Sequence, residues 1–398
     1  NDANFAIRVP AISVSETHAC ALSGAGGVKC WGSNWYGELG IGTSAGPQQC
    51  GGNPCSPSAV AVSSITSAIA VAAGTSHTCV VVANATVKCW GANSHGQLGI
   101  GTLSGPQTCS SSAIACSTTP VTVGGISGAL SISAGGERTC AVISGGTVRC
   151  WGNDNPTPVT VAGLAGATAV SVGAENVCAA VSGGAVRCWG DNTWGQLGDG
   201  TTTASSTPVA VTGITGATAI SAGSTACAVV TSGAVRCWGS NTDGELGIGT
   251  ETGPATCASW NAACAKTPVT VSGVTGATGV SGVVTPCARL TTGSVRCWGL
   301  NYYGQLGIGI SSGPMTCTYF GYSDPCSTSP VTVNGFGTAT TVSSSGPSAC
   351  ALLAAGNAVC WGSNENGQVG TGSTTGPQGY GPYNWACAKL PVTVVGFP

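Results

Sequence analysis

Cysteine, with 23 copies among 398 residues, outnumbers the acidic residues, the basic residues and histidine. Most of the cysteines fall into seven pairs whose members are ten residues apart: Cys20 and Cys30, Cys79 and Cys89, Cys140 and Cys150, Cys178 and Cys188, Cys227 and Cys237, Cys287 and Cys297, and Cys350 and Cys360. Because the C-x-x-C spacing of zinc sites is missing, this pattern favours disulfide bonds. Disulfides persist in oxidising compartments, and we therefore expect an extracellular protein, either secreted or displayed on a cell surface.

A second set of cysteines lies in longer segments between the ten-residue pairs. It predicts four further disulfides, Cys50 with Cys55, Cys109 with Cys116, Cys257 with Cys264, and Cys317 with Cys326. In the last such segment Tyr380 stands at the position of the first cysteine, so Cys387 has no partner. An unmatched cysteine in a secreted protein indicates either an intermolecular disulfide or a buried thiol whose partner was lost. Both interpretations remain open at the level of sequence.

The other residue types give little support for catalysis. G-x-S-x-G matches occur at 42–46 and 309–313, but such a nucleophile lies between a strand and a helix and needs Asp and His partners, which neither match has. Among the histidines, His18 and His77 share one repeat position and His95 lies apart, which is too few converging ligands for zinc or copper. The 13 acidic residues are dispersed. We predict no enzymatic activity, no metal and no cofactor.

The charge content is unusually low. Charged residues make up 6% of the chain, compared with about 25% in typical soluble domains. The formal net charge of −2 provides no basic surface for nucleic acid. No apolar run reaches about 18 residues, so membrane insertion is not expected. The first residues, NDANFAIRVP, lack the charged and apolar regions of a signal peptide, and we expect them to be a mature terminus.

Short strands must position these cysteines. Between the members of each ten-residue pair lie two short apolar runs joined by a turn, as in CAVISGGTVRC at 140–150, which is typical of a β-hairpin. Cysteines directly opposite each other in such a hairpin have Cα atoms about 4.5 to 5.5 Å apart, which is compatible with a disulfide. An apolar segment such as ATAISAG at 217–223 precedes the hairpin, and a TPVTV-like segment, as at 267–271, precedes that. Each unit therefore offers four strands.

A tryptophan follows the second cysteine of every hairpin and marks seven units: Trp31, Trp90, Trp151, Trp189, Trp238, Trp298 and Trp361. Seven four-stranded units predict a single all-β domain over residues 1–398, a seven-bladed β-propeller of antiparallel blades. The predicted repeat units are approximately 56–118, 119–155, 156–206, 207–266, 267–328, 329–389, and 390–398 joined with 1–55. We expect the N- and C-terminal segments to pair, because the chain ends with LPVTVVGFP, a first strand without its blade, and starts with a blade that lacks one.

Most units continue after the tryptophan with a G-[QE]-[LV]-G element, as in RCWGDNTWGQLGDGT at 187–201. Together with the HxCAL and VxCWG segments before it, this pattern resembles the repeat of the regulator of chromosome condensation family across nearly the whole chain. The third unit departs, because after Trp151 and Gly152 it reads NDNPTPVTV, without the GQLG element. The resemblance implies a seven-bladed propeller. The family includes nuclear guanine-nucleotide exchange factors, membrane-trafficking modules and secreted bacterial inhibitors of β-lactamases, and the cysteines and low charge favour a secreted, disulfide-rich bacterial-type member.

A basic residue precedes the second cysteine in six units, namely Lys29, Lys88, Arg149, Arg187, Arg236 and Arg296. Strand alternation places it on the face opposite that cysteine. We expect its stem to pack against a neighbouring blade and its head to bond a carbonyl or carboxylate there, with a ring of cations for an anionic partner as the alternative. Asn84, in the hairpin turn of its unit, begins an N-x-[ST] sequon and is a candidate glycosylation site.

Low charge, stapled loops and a spare cysteine favour a non-enzymatic extracellular building block, whose propellers self-assemble into a filament or a surface layer. The alternative is a soluble secreted binding module, an inhibitor or adhesin that grips a partner protein with one rim. An enzyme or lectin with a site in the central channel is a weaker alternative. The partner is thus another copy of this chain or another extracellular protein. The candidate contact residues are Cys387, Tyr380, Trp385, Tyr319, Phe320 and Tyr322.

Overall fold

The chain folds into strands because short runs of small and β-branched residues alternate with glycine turns, without the periodicity of an amphipathic helix. In the computed structural model, the described residues are 12–110, 113–257, 261–319, 322–380 and 385–398. These ranges contain 33 strands and one three-residue 3-10 helix, Gly24–Gly26. No helix within them is long and apolar enough to span a membrane.

The strands form seven antiparallel sheets, numbered here as blades 1 to 7 in chain order. Blade 1 contains β1 (Ile12–Val14), β2 (His18–Ser23), β3 (Gly27–Ser33), β4 (Gln48–Cys50) and β5 (Asn53–Ala61), and blade 2 contains β6 (Ala68–Ala73), β7 (His77–Val82), β8 (Val87–Ala92), β9 (Gln107–Cys109) and β10 (Ile114–Thr122). Blade 3 contains β11 (Ala129–Gly135), β12 (Arg138–Ile143), β13 (Thr147–Gly152) and β14 (Asn155–Thr160), and blade 4 contains β15 (Ala167–Val172), β16 (Asn176–Val181), β17 (Val186–Gly190) and β18 (Ser205–Ala210).

The remaining strands complete three five-stranded blades. Blade 5 contains β19 (Ala217–Ser221), β20 (Thr225–Val230), β21 (Val235–Ser240), β22 (Ala255–Cys257) and β23 (Ala262–Thr270). Blade 6 contains β24 (Ala277–Ser281), β25 (Cys287–Leu290), β26 (Val295–Leu300), β27 (Met315–Tyr319) and β28 (Tyr322–Thr332). Blade 7 contains β29 (Ala339–Ser345), β30 (Ser348–Leu353), β31 (Ala358–Ser363), β32 (Gln378–Tyr380) and β33 (Trp385–Thr393).

The first strand of each blade lines the central channel, and the next two strands follow it outward as a meander. The following long strand pairs with the third, and in blades 1, 2, 5, 6 and 7 a short strand lies outside it, with a cysteine in every case except blade 7. The predicted all-β seven-bladed propeller is confirmed. Five of its blades have a fifth strand because the long segment after the signature turn forms a hairpin, which a disulfide staples in every such blade except blade 7.

The sheets are shifted by one strand relative to the predicted repeat units. The TPVTV-like segment, which begins each predicted unit, pairs with the hairpin of the unit before it, so that Val269 lies opposite Cys237. This segment is the second half of the continuous strand β23. It stays with that hairpin because the first half of β23 already pairs with it, Cys264 opposite Ser240. The unit boundaries given above remain a prediction about the repeat.

The ring closes between blades 7 and 1. The N–H of Ala59 donates to the carbonyl of Val395 at 2.8 Å, and Trp31 packs with Val394 and Phe397. The two terminal segments therefore meet, but the expectation that the last strand completes the first sheet is wrong. That strand is β33 and belongs to blade 7, where it pairs with β31. Closure thus depends on packing between two complete sheets.

A separate hydrophobic cluster fills each of the seven blade interfaces. Between blades 2 and 3, for example, the buried Trp151 packs with Leu98 and Val87. Small residues such as Ala141 lie beside the tryptophan and let the two sheets approach closely. The core is therefore distributed around the ring rather than collected at one centre.

Eleven disulfides reinforce the blades, in the pairs that the sequence spacing predicts. The seven hairpin disulfides join residues directly opposite each other, with Cα atoms 4.0 to 4.1 Å apart. This is closer than the expected 4.5 to 5.5 Å because the bond draws the two strands together. The four staple disulfides link the outermost pair of strands, with Cα atoms 5.8 Å apart.

Candidate functional site

The G-[QE]-[LV]-G element forms a buried turn, here called the signature turn, at 37–40, 96–99, 195–198, 244–247, 304–307 and 367–370. Its aliphatic residue is fully buried, and the carbonyl just before that residue accepts a hydrogen bond from the next blade's tryptophan. Trp90 Nε1, for example, donates to Glu38 O at 2.7 Å. Within the turn, Leu39 N donates to Asn34 Oδ1 at 3.1 Å. The most repeated residues of the sequence therefore join blades together.

Two signature turns carry a buried glutamate, Glu38 or Glu245, where the other four carry glutamine. Burial raises the pKa of each carboxyl to about 7, and at Glu245 the charge of Asp243 adds to the effect. A buried acid with such a pKa is a candidate for acid–base chemistry. The Glu38 carboxylate, however, accepts hydrogen bonds from Tyr36 N at 2.8 Å and Ser33 Oγ at 3.2 Å, within its own loop. Sequence reasoning missed these groups, because a glutamate at a glutamine position does not reveal its burial.

The two histidines at the shared repeat position are buried between blades. His18 Nε2 lies 2.8 Å from Thr78 Oγ1, and His77 Nε2 lies 2.7 Å from Thr139 Oγ1 of the following blade. Burial lowers the pKa of His18 to about 3 and that of His77 to about 4, so both are neutral at physiological pH. Within the described ranges, no three His, Cys, Asp or Glu side chains are grouped to hold a metal ion.

Four of the six basic residues before the second cysteines bond carbonyls of the preceding blade, as expected. Arg149 Nη1 donates to Gly125 O at 2.8 Å. Arg296 Nη1 donates to Gly273 O at 2.9 Å, Arg236 Nη1 to Gly213 O at 3.5 Å, and Lys29 Nζ to Gly396 O at 2.7 Å. Each acceptor lies in the loop after the last strand of the neighbouring blade. These cations therefore tie neighbouring blades together.

The other candidate residues lie apart from one another. Ser44 and Ser311, the central residues of the G-x-S-x-G matches, lie in the loops between β3 and β4 and between β26 and β27. His95 Nδ1 lies 2.9 Å from Asp154 Oδ1 at the surface. Asn84 is exposed in the turn between β7 and β8, and glycosylation there remains a prediction.

The central channel is a cavity of about 360 Å³ lined by the first strand of each blade. Its walls are mainly backbone, hydroxyl and small aliphatic groups, and Glu16 and Arg289 are the charged residues among the described lining. Arg289 Nε donates to Ala339 O at 2.6 Å, which holds the guanidinium against the wall. The channel thus offers hydroxyl and amide hydrogen bonds rather than a group of charges.

Blades 6 and 7 carry most of the large apolar side chains that are exposed in the described ranges. Ten large hydrophobic residues are exposed in the described ranges, and six belong to these two blades. We call these six the apolar edge: Ile310, Met315, Tyr322, Trp385, Leu390 and Val395. Leu390 of blade 7 packs beside Gly309 of blade 6, so the surface continues from one blade to the next.

Comparisons with known proteins identify the repeat. The family model "Regulator of chromosome condensation (RCC1) repeat" matches residues 25–81, 86–142 and 183–230. A second model with the same description matches residues 68–97, 218–245 and 287–305. This chain belongs to the RCC1 repeat family.

Solved structures show the same fold as this RCC1-repeat propeller. Yeast RCC1 (Prp20) bound to Kap60 is 19% identical with a TM-score of 0.72, over 94% of this chain and 84% of that one. Prp20p from Saccharomyces cerevisiae is 18% identical with a TM-score of 0.73, over 94% and 87%. Human WBSCR16 is 18% identical with a TM-score of 0.70, over 93% and 94%. At these identities the likeness concerns the fold alone.

One curated human relative is the probable E3 ubiquitin-protein ligase HERC4. It is 35% identical over 94 residues, which cover 24% of this chain and 8% of the ligase. The rat and mouse ligases match over the same shares at 34% identity. The RCC1-repeat propeller therefore matches less than a tenth of the length of these relatives.

The predicted contact residues of this RCC1-repeat propeller are only partly accessible. The side chain of Tyr322 is 75% exposed and that of Trp385 is 42% exposed, both on the apolar edge. Phe320 and the side chains of Tyr319 and Tyr380 lie outside the described residues. Cys387 is unpaired and buried, which favours the interpretation as a lost-partner thiol over an intermolecular disulfide. Burial also raises the pKa of this thiol, which lowers its reactivity.

Proposed function

We propose that this protein is a non-enzymatic extracellular interaction module whose copies assemble through the apolar edge of blades 6 and 7. The observation that carries the proposal is the concentration of exposed large apolar side chains on these two blades, six of the ten in the described ranges. A concentration of exposed apolar side chains on one part of a folded protein favours a contact site there. Among the proteins with the same fold, yeast RCC1 is seen bound to Kap60, and Prp20p has binding properties to Gsp1p and histones.

The disulfides support the extracellular location. Eleven of them occur in 398 residues, two in each of four blades and one in each of the others. Structural disulfides of this kind persist in oxidising surroundings and are rare where glutathione keeps thiols reduced. The staples also make the outer hairpins rigid, which reduces the entropy lost when they form a contact.

Two further features support assembly between copies. The outermost strand of blade 6, β27, has 5 residues, whereas the outermost strands of blades 1, 2, 5 and 7 have 3 each. A longer edge strand offers more free backbone groups along its outer side to a strand from another molecule. Charged residues make up only 6% of the chain, so electrostatic repulsion between copies is weak.

A soluble inhibitor or adhesin is the second candidate. It would use the same apolar edge but bind a different extracellular protein, and the rigid staple hairpin between Cys317 and Cys326 suits either use. An enzyme or lectin site in the channel has weaker support, since the described lining contains a single acidic residue, Glu16, and no carboxylate pair.

Electron microscopy and light scattering of the native, unreduced protein test the proposal. We expect regular filaments, tubes or sheets that grow with concentration. The double variant Tyr322→Glu with Leu390→Glu should remain as single discs, because two buried charges would oppose the contact. Leu103→Glu on blade 2 is the control, since Leu103 is 43% exposed and lies outside the apolar edge.

Two results would contradict this proposal. If the parent stays monodisperse at every concentration, self-assembly is wrong and the second candidate function is favoured. If Leu103→Glu abolishes assembly as completely as the double variant, the contact surface is not the apolar edge.

A further inference from the structure

Because the third unit has no signature turn, one tryptophan of the ring lacks the packing partner and the hydrogen bond that the other six have. At the other six interfaces the turn of one blade packs on the next blade's tryptophan, and those six tryptophans are 0 or 1% exposed. After Gly152 the chain instead enters β14 almost directly, with Asn153 and Asp154 at positive φ of 55° and 68°. Trp189 of blade 4 is 7% exposed, and the part of the chain that the structure describes supplies no hydrogen-bond acceptor to its Nε1.

A cavity occupies the place of the missing turn. Its volume is about 350 Å³, within the range of about 300 to 1,000 Å³ that is typical of ligand sites. Its walls include the aromatic ring of Trp189 and the aliphatic side chains of Val159 and Val161. Arg138 and Ser206 add polar groups from blades 3 and 4. We call this cavity the Trp189 cleft.

The six complete interfaces show what chemistry fills this position. Between blades 2 and 3, Leu98 is fully buried and Gln97 O accepts a hydrogen bond from Trp151 Nε1 at 3.0 Å. The glycines on either side, Gly96 and Gly99, have φ of 75° and 65°, which lets the turn be tight enough to enter. The missing piece is therefore one aliphatic side chain next to a carbonyl acceptor, carried on a glycine-flanked turn.

We propose that the Trp189 cleft binds a glycine-flanked turn of a partner protein that presents a leucine or valine. The aliphatic side chain packs on the indole ring of Trp189, and the carbonyl before it accepts the Nε1 proton. Val159 and Val161 enclose the side chain, so the interaction repeats between two proteins the packing that the ring uses six times within itself. The cleft lies on blades 3 and 4, so this binding is independent of the apolar edge.

A cyclised peptide of sequence NSHGQLGIG, copied from residues 93–101, is the probe. Titrated into the full chain labelled with ¹⁵N, it should cause a saturable shift of the Trp189 indole N–H resonance, assigned from its loss in Trp189→Phe. The same peptide with glycine in place of leucine should bind at least tenfold more weakly. Trp189→Phe should weaken peptide binding about tenfold when measured by calorimetry, because one net hydrogen bond is lost.

A grafted chain supplies the matched control. Insertion of NSHGQLGIG after Gly152 should fill the Trp189 cleft from within, abolish peptide binding and leave the other tryptophan resonances in place. Tyr322→Glu with Leu390→Glu should bind the peptide as the parent does, which separates this inference from the proposed assembly.

Three outcomes would overturn the inference. The first is equal affinity for the leucine and glycine peptides. The second is undiminished binding to Trp189→Phe, a variant that keeps an aromatic ring in the cleft but has no indole N–H. The third is a peptide that never saturates the Trp189 resonance while hexanoate does, which would assign the cleft to small aliphatic ligands instead.

Discussion

Polar side chains around each signature turn make specific hydrogen bonds, as Asn34 shows. Asn34 Nδ2 donates to Thr43 O at 2.8 Å and to Ala45 O at 3.0 Å, while its Oδ1 accepts from Leu39 N. One asparagine thereby fixes both the signature turn and the loop that follows it. The neighbouring Glu38 holds its carboxyl in the buried position that glutamine occupies in four other signature turns.

Glu38→Gln should not lose stability as the pH rises to neutral, whereas the parent should, because its buried carboxyl ionises. Burial raises the pKa of the Glu38 carboxyl from its ordinary value of 4.5 to about 7, so the folded state binds the proton more tightly than the unfolded state. The contribution of the protonated Glu38 carboxyl to the free energy of unfolding is therefore fully present below pH 4.5. It is lost as the pH rises through about 7. At pH 8 Glu38→Gln should be more stable by on the order of 2 kcal/mol, and at pH 4 the two proteins should be alike.

Calorimetric melting curves from pH 4 to pH 8 provide the measurement for this prediction. Glu16→Gln, a change at an exposed residue, is the control and should follow the parent. Parallel curves for Glu38→Gln and the parent would show that the buried carboxyl does not set this pH dependence.

At the scale of strands, one hairpin explains the unmatched cysteine. In blade 1, Gln48 lies opposite Cys55 and Cys50 opposite Asn53. The register of blade 7 is the same, with Gln378 opposite Cys387 and Tyr380 opposite Trp385. Blade 7 therefore keeps the backbone of a staple hairpin without its disulfide.

Tyr380→Cys should form a twelfth disulfide with Cys387, because the backbone register already matches that of the stapled blades. Thiol titration after denaturation without reductant should find one thiol in the parent and none in the variant. Tyr380→Ser, the control, should keep the parent's single thiol. Two free thiols in Tyr380→Cys would mean that the blade 7 hairpin differs from the other staples.

At the scale of the whole molecule, one interface lacks the chain connection that the other six have. Phe397 packs on Trp31 between blades 7 and 1 with ring centroids 6.1 Å apart. Phe336 packs on Trp361 in a similar way at 5.8 Å, but there the chain runs directly from blade 6 to blade 7. The closing interface thus depends on noncovalent contacts alone.

Phe397→Ala should destabilise the ring more than Phe336→Ala. Phe397 is buried and Phe336 is partly buried, and the loss of a buried aromatic ring costs about 3 to 5 kcal/mol in protein cores. Only Phe397→Ala also weakens the contact between blades 7 and 1. In this variant the backbone amides of β1, β2 and β33 should therefore exchange faster than in Phe336→Ala. Hydrogen exchange by mass spectrometry checks this, and equal protection in the two variants would mean that closure is not the weak interface.

The sequence predicted those features that depend on local spacing. Ten-residue cysteine pairs and the following tryptophan were sufficient for the hairpins, the disulfides and the blade number. The one-strand shift of the sheets relative to the predicted units was missed. A segment such as 267–271 can pair with the hairpin before it or the hairpin after it, and local spacing does not decide between them. The absence of GQLG after Gly152 was visible, but its result, the Trp189 cleft, depends on which blade each turn covers. The apolar edge was anticipated only through its aromatic loops, since exposure of Leu390 or Val395 is a tertiary property.

In the described residues each blade is built from one continuous stretch of chain, since none of their strands is exchanged between sheets, even at the closing interface. Duplication or deletion of one such stretch in the gene adds or removes a whole sheet with all of its backbone pairing intact. Unequal recombination between repeats can therefore change the ring size in single steps. Propellers that close by a shared strand do not have this freedom, because there a cut at the repeat boundary divides a sheet.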